Sequence, residues 1–146
     1  MTLDNLLRIG KLKAHVADKV EIDRLLAAAE RALVDASAPG LSSDTRLDAA
    51  YRAILQAALI AMLANGYRPA TSESGHHQVL IQALTKTAGL AAERVRVLDA
   101  YRAARNQSDY RGIPASESVA RECAADARSV LDQVRAWLSA NRPDLV

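Results

Sequence analysis

The chain has 146 residues and a formal charge of +2, enough for one domain with its own core. This mildly basic balance permits nucleic-acid contact without requiring it. Hydrophobic residues make up 50% but aromatics only 3%, with no Phe, so the core must be Ala, Leu, Val and Ile packed between closely spaced helices. The single cysteine, Cys123, excludes an internal disulfide and a cysteine metal cluster, and is expected to act as a small buried hydrophobe.

The N-terminal stretch MTLDNLLRIGKLKAH carries an early acidic residue and no unbroken apolar run, so no signal peptide is expected. The longest apolar run, Ala57–Ala64, is far shorter than the ~20 residues that span a bilayer. The expectation is a cytoplasmic protein with no membrane contact. Thr2 can cap a short helix that turns Leu3, Leu6, Leu7 and Ile9 inward, with Gly10 as its weak point. Lys11–Asp18 has no clear periodicity, and His15 within it is expected at the surface or in a local hydrogen bond.

A second helix is predicted over Lys19–Ala36, burying Ile22, Leu25, Leu26, Ala29, Leu33 and Val34 and turning Glu21, Asp23, Arg24, Glu30 and Arg31 to water. Pro39 and Gly40 mark Ser37–Asp44 as a loop, with Ser43 or Asp44 capping the next helix. That third helix, Thr45–Asn65, is apolar on nearly all sides from Ile54 to Leu63, the signature of a central helix covered by several neighbours. Arg46, Asp48 and Arg52 should mark its solvated start. Asn65-Gly66 reads as a C-cap, and Tyr67–Ser74 as a polar connection directed by Pro69.

The fourth helix, Gly75–Thr87, opens with His76-His77 and turns Val79, Leu80, Ile81 and Leu84 inward. Adjacent histidines diverge by about 100° on a helix and cannot chelate one metal as an i, i+4 pair would, so no metal site and no cofactor are expected. Gly89 precedes a fifth helix over Ala91–Ser108. Arg111–Pro114 is a turn, and Ser116 opens a sixth helix to Ala140 with Val119, Cys123, Ala127, Val130, Leu131, Val134, Trp137 and Leu138 at helical spacing. Asn141 and Pro143 end it. The expected fold is an all-α, up-and-down bundle of five or six helices in one domain, with the last two antiparallel because their connection is short.

Within the fifth helix, charges sit inside the apolar pattern instead of opposite it. At about 100° per residue, Arg105 falls between Tyr101 and Leu98. An unpaired guanidinium there is costly, so Arg105 requires a partner such as Asp109 at i+4, a second subunit or a bound anion. Arg102 and Asn106 continue the polar row. The plainest account of Arg102, Arg105 and Asp109 is a solvated salt-bridge ladder.

The wording Arg105-Asn106-x-x-Asp109-Tyr110 near the end of a long helix also resembles the motif of HEPN domains (higher eukaryotes and prokaryotes nucleotide-binding), in which an Arg and a following polar residue lead to a His several positions on. The order of features is similar to small bacterial members: Gly66-Tyr67-Arg68-Pro69, then Gly75-His76-His77, then the Arg-Asn segment and a last long helix. The resemblance implies a HEPN-like bundle and, in active members, a metal-independent dimeric ribonuclease in which Arg105 would contact phosphate. No His follows Arg105 in this chain. Tyr110 and Arg111 stand where it would fall, and neither titrates near neutral pH. Asp109 is ionised there and is a weak base. The ending resembles relatives regarded as non-catalytic.

The resemblance therefore implies a non-catalytic binding component of a toxin–antitoxin or defence module. Arg102, Arg105, Asn106 and Arg111 are its candidate contacts to RNA, a nucleotide or a nucleotidyltransferase-type partner. A homodimer is expected, with Tyr101, Arg105 and the end of the fifth helix at its interface. The alternative is a metal-independent endoribonuclease using Arg105 with Asp109, Tyr110 or a histidine, His77 or His76, arriving from the fourth helix.

Overall fold

Small polar residues start the helices where the apolar periodicity begins. In a computed structural model that describes residues 1–72 and 75–146, Thr2 accepts from the Asn5 amide and opens α1 (Leu3–Arg8). The Lys11–Asp18 stretch, which shows no periodicity, holds β1 (Leu12–Ala14). Asp18 accepts from the Glu21 amide at the start of α2 (Lys19–Ala36). The cap of α3 (Ser43–Ala64) is Ser42, which accepts from the Thr45 amide, so that helix begins earlier than Ser43 or Asp44 as caps would allow. Next come β2 (Tyr67–Pro69), α4 (His76–Gln82), α5 (Leu84–Thr87), α6 (Ala92–Arg111) and α7 (Glu117–Asn141), which Ser116 caps through the Val119 amide. A single 3-10 turn, Pro143–Leu145, closes the chain.

The architecture is an all-α bundle with a minor two-stranded element. β1 and β2 pair antiparallel, Leu12 opposite Pro69 and Ala14 opposite Tyr67. The ladder extends at both ends, from the Ala70 amide to Lys11 and from the His15 amide to Gly66. Periodicity could not announce strands of three residues, because two or three positions carry no measurable alternation. The fourth predicted helix is divided at Ala83 into α4 and α5. Glu73 and Ser74, which end the predicted Tyr67–Ser74 connection, lie outside the described residues.

Side-chain bonds fix the helix directions. Arg46 reaches Glu117 near the starts of α3 and α7, and Arg142, just past α7, donates to the Ala64 carbonyl at the end of α3. These two helices therefore run parallel. Tyr101 bonds Asp126 while Arg94 bonds Gln133, so α6 and α7 are antiparallel, as their short connection requires. With α2 joined to α3 by a tight loop, the long helices alternate up, down, up, down.

Helix α3 is the core. Leu47, Ile54, Ile60 and Met62 are fully buried along it, and alanines at 50, 53, 57, 58 and 61 let neighbouring backbones approach closely. By length and composition it could cross a membrane, but 67% of its most apolar window is buried inside the chain, which is the environment of a core helix. On α2 the buried positions are Ile22, Leu26, Ala29, Ala32, Leu33 and Ala36, spaced i, i+4, i+7, i+10, i+11 and i+14. Val34 lies one step of rotation off this stripe and is 70% exposed, against expectation. Leu7 and Ile9 are exposed too, because α1 ends at Arg8 and turns only Leu3 and Leu6 toward the core.

Candidate functional site

Helix α6 has Glu93 in its first turn and Arg111 in its last, both favourable to the helix dipole. It ends at Gly112, whose φ of 66° is left-handed and suits a residue without Cβ. Val95, Leu98 and Tyr101 are its buried side chains. Arg105 continues that inward face, as the spacing predicts.

The partner that Arg105 meets first is not on its own helix. Its Nε donates to Asp48 Oδ1 of α3 at 3.0 Å, while Asp109 Oδ2 stands at 3.5 Å. Its guanidinium carbon lies 5.4 Å from the centre of the Tyr51 ring, within the range of a cation–π contact. One cation thus faces two carboxylates and an aromatic face. A phosphate arriving here would have to displace Asp48 or Asp109 and would meet net negative charge until it did.

Tyr51 itself is buried, and burial pushes its phenol up to about 12 against the opposing pull of Arg105 and Arg102. Its hydroxyl has no hydrogen-bond partner among the described residues. Arg102 turns back to Asp99, with Nε to Oδ1 at 2.8 Å, so Arg102, Arg105 and Asp109 are two separate pairings and not one ladder. Asn106 is half-buried, and Arg111 is exposed at the helix end. Tyr110 is 83% exposed.

Tyr101 belongs to the interior of its own chain. It is buried against the core and its hydroxyl donates to Asp126 of α7, and burial followed by that bond raises its pKa. Tyr101, expected at an interface, is thus covered by its own chain, while the Arg105 side chain stays 33% exposed. The outward arc of α6 carries Val97, Ala100, Ala103, Gln107 and Tyr110, all exposed.

His76 and His77 open α4 with their rings edge to face, centroids 4.5 Å apart. Burial lowers the pKa of His77 most, then the neighbouring His76, then the charge of Arg105. Arg105 and His77 are thus within electrostatic reach of each other, although 28 positions separate them in the chain. Among the described residues, no group of three or more His, Cys, Asp or Glu side chains is placed to hold a metal ion.

Sequence reasoning missed Asp48 and Tyr51. Asp48 reads as part of a solvated helix start, and nothing in the spacing singles out Tyr51. Their only signal is the demand of Arg105 for a counter-charge, which names no residue 57 positions away. Comparison with known proteins finds no matching family model, no similar characterised protein and no similar solved structure.

Proposed function

We propose that the chain is a non-catalytic, HEPN-like binding component of a bacterial toxin–antitoxin or defence module, cytoplasmic and homodimeric, that engages its partner through helix α6. The observation that carries this reading is the inward commitment of Arg105 to Asp48, Asp109 and Tyr51. An arginine held this way ties α6 to α3 and offers little to a phosphate. Cleavage at a ribose 2′-OH also needs a base and an acid, and loss of one such group costs about 10²–10⁴-fold in rate. Asp109 is engaged with Arg105, and Tyr110 stands exposed at the end of the helix.

Of the ligands that the resemblance leaves open, a protein fits this charge balance best: a second copy, or a nucleotidyltransferase-type partner, on the exposed arc from Val97 to Tyr110. RNA or a nucleotide would depend on Arg102, Arg105, Asn106 and Arg111. Sedimentation at micromolar concentration should show a dimer, and Ala100→Glu with Ala103→Glu should dissociate it. RNA incubated in chelator should stay intact. A monomer at those concentrations, or RNA binding lost specifically in Arg105→Ala and retained in Arg31→Ala, refutes the protein-partner reading.

A second reading, a metal-independent endoribonuclease, draws on the charge of Arg105 acting on His77, the smallest of the three influences that lower its pKa. It requires robust RNA cleavage that is lost in both Arg105→Ala and His77→Ala.

A further inference from the structure

All three histidines of the chain, His15, His76 and His77, border one cleft of about 890 Å³ enclosed by α2, α3, α4 and β2. Its floor is apolar, made by Leu25 of α2, Leu55, Leu59 and Leu63 of α3, and Leu80 of α4. Such a volume with a mostly apolar lining and a few polar groups is what small-molecule sites present.

The polar groups are strongly biased in sign. Arg24, Arg52 and Arg68 line the cleft from three different elements, are exposed, and pair with no carboxylate among the described residues. Among the described lining residues the one acidic group, Glu21, is already held by His15 at 2.8 Å. Arg105, Arg102, Arg128 and Arg142, by contrast, each have a carboxylate partner. Guanidinium groups around a concave apolar surface, without a carboxylate partner among the described residues, match a phosphate, whose oxygens accept their paired N–H donors.

A separate feature points the same way. Gln56, on the α3 wall of the cleft, has its Oε1 buried with no hydrogen-bond partner among the described residues. A buried carbonyl without a donor is uncommon and costs stability unless something supplies one.

We infer that this cleft binds a small organic phosphate monoester whose apolar body lies on the leucine floor, whose phosphate is held by Arg24, Arg52 and Arg68, and whose hydrogen-bond donor meets Gln56 Oε1 after that side chain turns toward the ligand. The site is distinct from the outward arc of α6 and does not depend on dimerisation.

Calorimetric titration of the full chain tests it, with adenosine 5′-monophosphate as a probe that has phosphate, flat body and amino donor together. Adenosine and inorganic phosphate each lack a part, and hexyl phosphate keeps the phosphate and an apolar body without the donor. Adenosine 5′-monophosphate should bind most tightly, and Arg24→Gln and Arg68→Gln should each raise its Kd by about tenfold. Gln56→Leu should bring its affinity down to that of hexyl phosphate. Both arginines are exposed, so these variants should fold, and unchanged circular dichroism confirms it. Arg31→Gln, outside the cleft, should bind like wild type.

No binding of adenosine 5′-monophosphate or hexyl phosphate at millimolar concentration overturns the site. So does binding that Arg24→Gln and Arg68→Gln leave unchanged. Tighter binding of single-stranded RNA, weakened equally by Arg31→Gln and Arg24→Gln, overturns it in favour of a diffuse basic surface.

Discussion

Replacing Arg105 tests whether it is a structural tie or a free cation awaiting a ligand. The Arg105–Asp48 pair has side chains 33% and 47% exposed, so solvent screens it, and pairs of this kind contribute about 0.2–1 kcal/mol. Stacking of a partly solvated guanidinium on Tyr51 adds about 0.5–1 kcal/mol. Arg105→Ala should therefore cost about 1–2 kcal/mol, which for a chain of this size lowers Tm by roughly 2–8 °C. A double-mutant cycle with Asp48→Ala should give a coupling of about 0.5 kcal/mol, limited because Asp109 remains beside Arg105. Urea denaturation followed by circular dichroism measures both. Near 1 M salt, where the screening length falls to about 3 Å, the coupling should shrink while the cost of Arg105→Ala persists in part through lost stacking. An Arg105→Ala protein as stable as wild type, with no coupling to Asp48, would refute the tie and return Arg105 to the role of an available phosphate contact.

Glu30 accepts from Arg128 and Arg135 of α7, and its pKa falls to about 2, chiefly through the bond to Arg128. A depressed carboxyl stabilises the fold above its ordinary value of 4.5 and loses that contribution as pH falls toward 2. Glu30→Gln should accordingly show a shallower loss of stability than wild type between those limits in acid titrations monitored by circular dichroism, with added salt reducing the difference. Burial pushes the Cys123 thiol up to about 12, so iodoacetamide at pH 8 should leave it unmodified in the native protein and alkylate it in denaturant, as mass spectrometry will show. Ile54 is fully buried at the middle of α3, and Ile54→Ala should cost about 2–5 kcal/mol. The exposed Val34→Ala should change stability by less than about 0.5 kcal/mol in the same urea assay.

The long helices and their order are written locally. Apolar spacing on α2 and α7, caps at Thr2 and Ser116, and the all-round apolarity of α3 are properties of neighbouring residues, and each alone predicts a helix and the faces it must bury. The same spacing exposes Arg105 as a charge on an inward face. What spacing does not encode is which neighbour covers that face. Asp48 meets Arg105 only because α3 and α6 run antiparallel beside each other, and Tyr101 is buried within its own chain only because α7 brings Asp126 to its hydroxyl. The same limit explains the short strands, which exist through pairing across more than fifty residues and not through any pattern of their own. It also explains the cleft: three histidines, and three arginines with no carboxylate partner among the described residues, are scattered from position 15 to position 77 in the chain. Local sequence determined the helices and their buried faces, because periodicity acts over one or two turns. The packing of those faces, a sum of contacts between distant residues, decided which charges are satisfied and which are left open to a ligand.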